Sequence, residues 1–156
     1  VDESGSTSHY REPGWFTINV FNRLVSGLTK AGVSVLGSRT LSVRGRTSGE
    51  WRSTPVNLLT VGDRQYLVAA RGVTQWVRNL RVATSGELRV GRRVQPFTAV
   101  ELPDEEKGAI LRAYLKRWKM EVGVFFDGVS ATSPESEFAR IAPDHPVFEL
   151  TFPGPD

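Results

Sequence analysis

The stretch Arg44-Gly45-Arg46-Thr47-Ser48-Gly49-Glu50-Trp51-Arg52-Ser53-Thr54-Pro55 decides how the chain is read. It sets three arginines, two glycines and several small hydroxyl residues between two apolar runs. That composition predicts a loop able to hold an anionic group. Glycine lets backbone N–H groups approach an acceptor closely, and guanidinium forks match phosphate or carboxylate. Strand-like runs lie on either side, Thr40–Arg44 before and Pro55–Val61 after. Pro55–Val61 and Arg64–Ala70 flank Gly62-Asp63, a two-residue hairpin signal with Gly first, as a type II′ turn requires. Glu87–Gly91 and Arg93–Glu101 flank Gly91-Arg92 in the same way.

Helical spacing fills the gaps. Thr74–Ala83 reads as a short helix carrying Trp76, Val77 and Leu80. Pro103 opens a longer one, with Asp104, Glu105 and Glu106 at the positive end of its dipole and Ile110, Leu111, Tyr114, Leu115 and Trp118 on its apolar face, running to Lys119. Ser133 caps a short helix begun by Pro134, and Pro146–Phe152 reads as a closing strand. Val122–Gly128 is ambiguous between the two. Upstream, Trp15, Ile18, Phe21, Val25 and Leu28 give Trp15–Ala31 one apolar face, while residues 1–13 read as a disordered tail. Five or six strands with helices between them and no βαβ rhythm predict an α+β fold. The sheet is expected to be mostly antiparallel, closing into a small barrel as a single domain over residues 14–156.

At 156 residues and 39% hydrophobic content the chain suits one domain with one core. No apolar run approaches the ~20 residues a membrane span needs. The absence of cysteine excludes disulfides, thiolate catalysis and thiolate metal sites, and fits a reducing cytoplasm. The Trp15–Ala31 face is broad and its polar side only weakly basic, so core packing is favoured over peripheral membrane contact. The chain begins at Val1 and its one Met is Met120, which implies a missing or processed N-terminus.

The net charge of +3 conceals an asymmetry. Residues 39–93 hold eleven Arg, no Lys and three acids (Glu50, Asp63, Glu87), whereas residues 101–156 hold six bases and eleven acids. Arginine without lysine suits geometric recognition of an anion as well as it suits a solvated strand surface.

Side-chain chemistry is sparse. His9 falls in the tail and His145 precedes Pro146; neither has a partnered Ser, and no second ligand stands at metal spacing, so no metal is expected. The carboxylates of 104–106 and of Glu135 and Glu137 sit at helix starts, where capping accounts for them. A second segment joins the arginine-rich one: Ala69-Ala70-Arg71-Gly72-Val73-Thr74-Gln75-Trp76-Val77-Arg78-Asn79-Leu80. A strand ends on small residues, a glycine turn follows, and the open N–H groups of the next helix form another anion seat. The chain therefore reads as one that holds a charged cofactor and lets it do the chemistry.

Arg46-Thr47-Ser48-Gly49 with Arg52 and Pro55 resembles the Gly-Arg-x-Ser-Gly-x-x-Arg-x-x-Pro segment of the deazaflavin-dependent nitroreductase family. Trp76-Val77-Arg78-Asn79-Leu80 resembles that family's Trp-x-x-Asn-Leu helix. The resemblance covers residues 40–100 well and the flanking helices loosely. It implies a split β-barrel, related to flavin-binding split barrels, that binds coenzyme F420, an 8-hydroxy-5-deazaflavin with a polyanionic tail. By position, Arg46, Ser48, Gly49 and Arg52, with Arg44, Thr47 and Pro55 beside them, would hold the tail. Ala70, Arg71 and Gly72 would lie near phosphate and ring, with Trp76 and Asn79 fixing that wall. Arg71 stands where relatives carry a lysine, the turn is shorter and lacks their His-Pro, and their substrate-side tyrosines are missing. The implied activity is hydride transfer from the reduced deazaflavin to an electron-poor quinone, enone or nitro compound. Trp15, Trp118, Phe125 and Phe126 are candidates for the acceptor wall, though core is the favoured reading for each singly, and Tyr114 or solvent for the proton. FMN or haem in the same barrel, or single-stranded nucleic acid on its arginines, are the alternatives. Monomer and homodimer both stay open.

Overall fold

The computed structural model describes residues 38–122 and 125–153. The expected tail and the Trp15–Ala31 helix lie outside the described residues, as does part of the ambiguous Val122–Gly128 stretch. The described residues hold six strands, β1 (Ser38–Arg44), β2 (Trp51–Val61), β3 (Arg64–Val68), β4 (Ser85–Val90), β5 (Arg93–Glu101) and β6 (Val147–Thr151), and three α-helices, α1 (Gln75–Ala83), α2 (Gly108–Val122) and α3 (Glu135–Ile141). The strands close into a barrel in the order β1-β2-β3-β6-β5-β4, and every pairing is antiparallel. The expected α+β barrel is thus the observed one. No helix among the described residues is long and apolar enough to cross a membrane.

The two hairpins follow from their first glycines. Gly62 (φ 64°) and Gly91 (φ 60°) take the left-handed region while Asp63 and Arg92 do not, which is the type II′ arrangement. One expectation needs correction. The arginine-rich loop ends at Glu50, and β2 already begins at Trp51, so Arg52 to Pro55 lie on a strand, paired with Val43 to Thr40. Alternation then puts Arg52 and Pro55, three residues apart, on opposite faces of the sheet.

That alternation also builds two cores. Residues facing into the barrel, among them Leu41, Val43, Leu58, Leu67, Leu88, Phe97, Phe148 and Leu150, form one buried cluster, joined by Val77 and Leu80 of α1. The outward residues Leu59, Tyr66, Val68 and Val147 form a second with Leu111, Leu115, Trp118, Phe138 and Ile141 from α2 and α3. The helices therefore cover one outer wall, made of β2, β3 and β6.

Each core carries a constraint absent from the hydrophobic pattern. Inside the barrel, Gly86 pairs with Phe97. A Cβ added at Gly86 would stand 2.7 Å from the Ser42 carbonyl oxygen and 3.0 Å from Phe97 Cζ. Outside, Pro103 opens only a 3₁₀ turn, Asp104–Glu106, and the α-helix starts later, at Gly108. Lys107, 2% exposed, marks the junction. Its Nζ donates to the Ala142 carbonyl and pairs with Asp104 Oδ1, both at 2.8 Å, so a buried ammonium stitches the start of α2 to the end of α3.

Gly86→Ala is expected to destabilise the protein by about 1–3 kcal/mol through overpacking, seen as a lower denaturant midpoint with an unchanged slope. Lys107→Met keeps the aliphatic stem and loses both polar contacts; about 1–3 kcal/mol of stability should go in the same measurement.

Candidate functional site

At one mouth of the barrel β1 runs into the 45–50 loop, and β3 runs through the Ala69–Thr74 turn into α1. The loop closes on itself by Gly45 N–H to Glu50 O (2.8 Å) and Gly49 N–H to Gly45 O (2.9 Å), with Gly49 at φ 76°. Ser48 Oγ accepts from Glu50 N–H at 3.1 Å. Arg44 donates to the Gly49 carbonyl at 3.0 Å and lies over the Trp51 ring, 4.3 Å from its centroid.

Across the mouth, α1 starts without a side-chain cap. Thr74 is the N-cap residue, yet its side chain makes no capping bond; Oγ1 is buried and has no hydrogen-bond partner among the described residues. The helix ends on Thr84 in the left-handed region (φ 55°), its N–H bonded to Leu80 O at 2.8 Å. Glycine usually fills that position, but the nearby Gly86 is committed inside the barrel. Arg81 fastens the same end to β5 by a bidentate pair with Glu101, 2.9 and 2.7 Å. Those hydrogen bonds hold its pKa above the ordinary arginine value, against a smaller opposing effect of burial. Both side chains are partly exposed, so the pair contributes about 1 kcal/mol or less.

The two segments singled out in the sequence meet through Arg46. Its backbone N–H donates to Asn79 Oδ1 at 3.0 Å, and its Nη1 donates to Asn79 Oδ1 at 2.8 Å and to Gln75 Oε1 at 2.9 Å. Asn79 is 5% exposed and is held by α1. Arg52 approaches from β2: the position a Cβ on Gly45 would occupy lies 3.1 Å from Ser48 Oγ and 3.5 Å from Arg52 Nε. Gly45, Ser48 and Arg52 thus frame a recess that any other residue at 45 would fill.

The remaining candidates are distributed unevenly. Arg44 is exposed at the end of β1 and Thr47 to Gly49 on the loop, whereas Pro55 is half-buried on β2. Ala70, Arg71 and Gly72 (φ 85°) form the turn beside α1. Trp76 leans toward the barrel interior, its ring 5.9 Å from that of Phe148. Trp118, Phe125 and Phe126, expected as acceptor walls, are buried members of the helix-side core, and so is Tyr114, 6.2 Å from Phe126. The α2 periodicity that named two of these rings is a packing signal. Trp15 lies outside the described residues. A cleft of about 440 Å³ is lined by Trp51, Gly86, Glu87, Pro96, Phe97 and Thr151 among others, and includes none of the candidates.

His145 is a site feature the sequence did not reveal. It is fully buried and stacks on Phe126, the rings 4.3 Å apart and 4° from parallel. Its Nδ1 lies 3.2 Å from the Ala69 carbonyl, which also accepts from Gly72 N–H at 3.1 Å. Ala69 N–H in turn donates to Pro146 O at 2.8 Å. The turn before α1 is therefore pinned from the helix-side core. Its only trace in the sequence is the adjacency of His145 and Pro146 ahead of a strand.

The donor set fits a phosphate-bearing anionic cofactor. Arg46, Arg52 and the Gly45 recess stand at the same mouth as Thr74, whose buried Oγ1 has no hydrogen-bond partner among the described residues. Among the described residues no group of three or more His, Asp or Glu could hold a metal.

Comparisons with known proteins agree with that chemistry. The family model for F420H(2)-dependent quinone reductases matches residues 19–130. No curated protein matches the chain. Among solved structures, one described as an F420-H2 dependent reductase is 20% identical with a TM-score of 0.51, covering 74% of this chain and 94% of that one. Another, described as a domain-swapped dimer, is 20% identical with a TM-score of 0.52, covering 87% and 97%. A protein of unknown function from Agrobacterium tumefaciens is 15% identical with a TM-score of 0.55, covering 95% and 60%. These likenesses concern the fold; the family match carries the activity and selects F420 over FMN. The chain belongs to the F420H(2)-dependent quinone reductase family, oxidoreductases that draw their reducing power from the reduced deazaflavin.

Proposed function

We propose that this chain reduces a quinone-type acceptor, with the mouth formed by the 45–50 loop, the 69–74 turn and the start of α1 as its cofactor site. The observation that carries this reading is the hydrogen bonding of Arg46 to Asn79 and Gln75, which brings both recognition segments to one place. Bound there, F420H2 supplies a hydride to the electron-poor ring of the acceptor. Arg46 and Arg52 attract and orient the anionic tail, Ser48 and the loop amides complete its hydrogen bonding, and Gly45 keeps the recess open. Thr74 Oγ1 and the first amides of α1 take a phosphate oxygen. Ala70, Arg71 and Gly72 form the neighbouring wall, held in shape by the His145–Ala69 contact. The role of the protein is positioning and electrostatics, which suits a chain with no cysteine and with its second histidine buried in a structural contact. The quinone class is supported by the family description, and the choice over an enone or nitro compound is the finer part of the proposal. The dimeric neighbour favours a homodimer, which light scattering decides. A cytoplasmic enzyme is the matching location.

Fluorescence titration with F420 tests the site. Arg46→Ala with Arg52→Ala should weaken binding at least about tenfold, and the remaining affinity should depend less on salt than in the parent. Unchanged affinity would remove these residues from the site.

Asn79→Ala tests the link itself. Amide exchange over residues 45–50 should accelerate in the free protein, and stability should fall by about 1–3 kcal/mol. Exchange at the parent rate would show that the loop holds its shape unaided.

A further inference from the structure

Arg78 stands inside the second recognition segment, at one of the positions that the Trp-x-x-Asn-Leu pattern leaves open. It is half-buried on α1, and among the described residues its side chain makes no hydrogen bond, ion pair or ring contact. Arg81, further along the same helix, is the more exposed of the two, yet it is the one held by a carboxylate, that of Glu101. A guanidinium partly withdrawn from water, with no acceptor in reach, loses hydration without compensation. A fully solvated arginine would carry no such cost.

The helix sets the direction of this side chain. Side chains on an α-helix tilt toward the N-terminus and cover the turn that precedes their own Cα. For Arg78 that turn holds Thr74 and Gln75, and the Arg78 backbone N–H donates to the Thr74 carbonyl at 3.2 Å. The turn is prepared for an anion. The start of α1 contains no acidic residue, and none lies between Asp63 and Glu87 in the sequence. Thr74 is 5% exposed, and its buried Oγ1 has no partner among the described residues. Arg46 reaches Gln75 Oε1 at 2.9 Å and so brings a second guanidinium to the same turn. Two arginines thus converge on the positive end of a helix dipole that carries no carboxylate of its own.

We propose that Arg78 clamps the phosphate of the cofactor tail at the start of α1 and thereby sets the preference of the site for the tail-bearing deazaflavin over the bare ring system. This rests on the cofactor site proposed above and adds to it a specificity-determining residue. The planar guanidinium fork offers two parallel donors to one phosphate, the Thr74 hydroxyl a third, and the helix amides the remainder.

The test is fluorescence titration of the full chain with two probes, F420 and the same 8-hydroxy-5-deazaflavin without phosphate and tail. The ratio of the two affinities is the readout. In Arg78→Gln that ratio should fall about tenfold or more, while affinity for the tail-free ring stays within about twofold of the parent. Added salt should narrow the ratio more in the parent than in the variant. Arg78→Met keeps the aliphatic stem and serves if Arg78→Gln fails to fold. A purely structural role would weaken both probes alike and leave the ratio at its parent value, which overturns the proposal. A ratio lost in Arg46→Ala/Arg52→Ala but intact in Arg78→Gln overturns this inference alone. A parent that binds both probes equally overturns the cofactor-site reading along with it.

Discussion

One carboxamide oxygen, Asn79 Oδ1, organises the mouth of the barrel formed by the 45–50 loop and α1. It accepts both the backbone amide and the guanidinium of Arg46, a residue 33 positions earlier in the chain. Without it, the 45–50 loop would keep only its own short-range bonds and the exposed contact of Arg46 with Gln75 as its link to α1. With it, loop, helix and barrel rim form one rigid corner. Because Asn79 is buried on a helix that also packs Val77 and Leu80 into the barrel, the corner inherits the rigidity of the core. Arg46 spends part of its donor capacity on this attachment; a guanidinium carries five N–H groups, so donors remain for a ligand.

A second attachment comes from the other core. At the adjoining ends of β3 and β6, His145 contacts the Ala69 carbonyl while stacked on Phe126. The turn before α1 is thus fixed by the helix-side layer and the loop before β2 by α1. The two cores thus meet at this mouth of the barrel, and Trp118, Phe125 and Phe126 pack in the helix-side one.

Much of the fold was legible because its signals are local. Both hairpins announce themselves through a glycine followed by a polar residue, and α1 through Trp76, Val77 and Leu80. The two recognition segments were legible as composition and spacing. What stayed hidden depends on register and long-range packing. Nothing in Arg52-Ser53-Thr54-Pro55 marks it as strand in place of loop; its pairing with β1 does. Trp118, Phe125 and Phe126 read as core or, less readily, as pocket, and burial places all three in the core. The concentration of eleven arginines in residues 39–93 was visible, but its division between opposite mouths required strand directions. Four acidic residues of the later half serve to fasten it: Glu101 with Arg81, Glu149 with Arg64, Glu137 with Arg140, and Asp104 with Lys107.

The close approach of Gly86 to Phe97 bears on how relatives of this chain can diverge. The ring occupies the volume that a side chain at 86 would need, and the Ser42 carbonyl blocks retreat on the other flank. Positions 86 and 97 are therefore free to drift only as a couple. A homologue bearing alanine or serine at the first must shrink the aromatic at the second or bow β1 outward, and the altered strand spacing would reach the loop that follows Arg44.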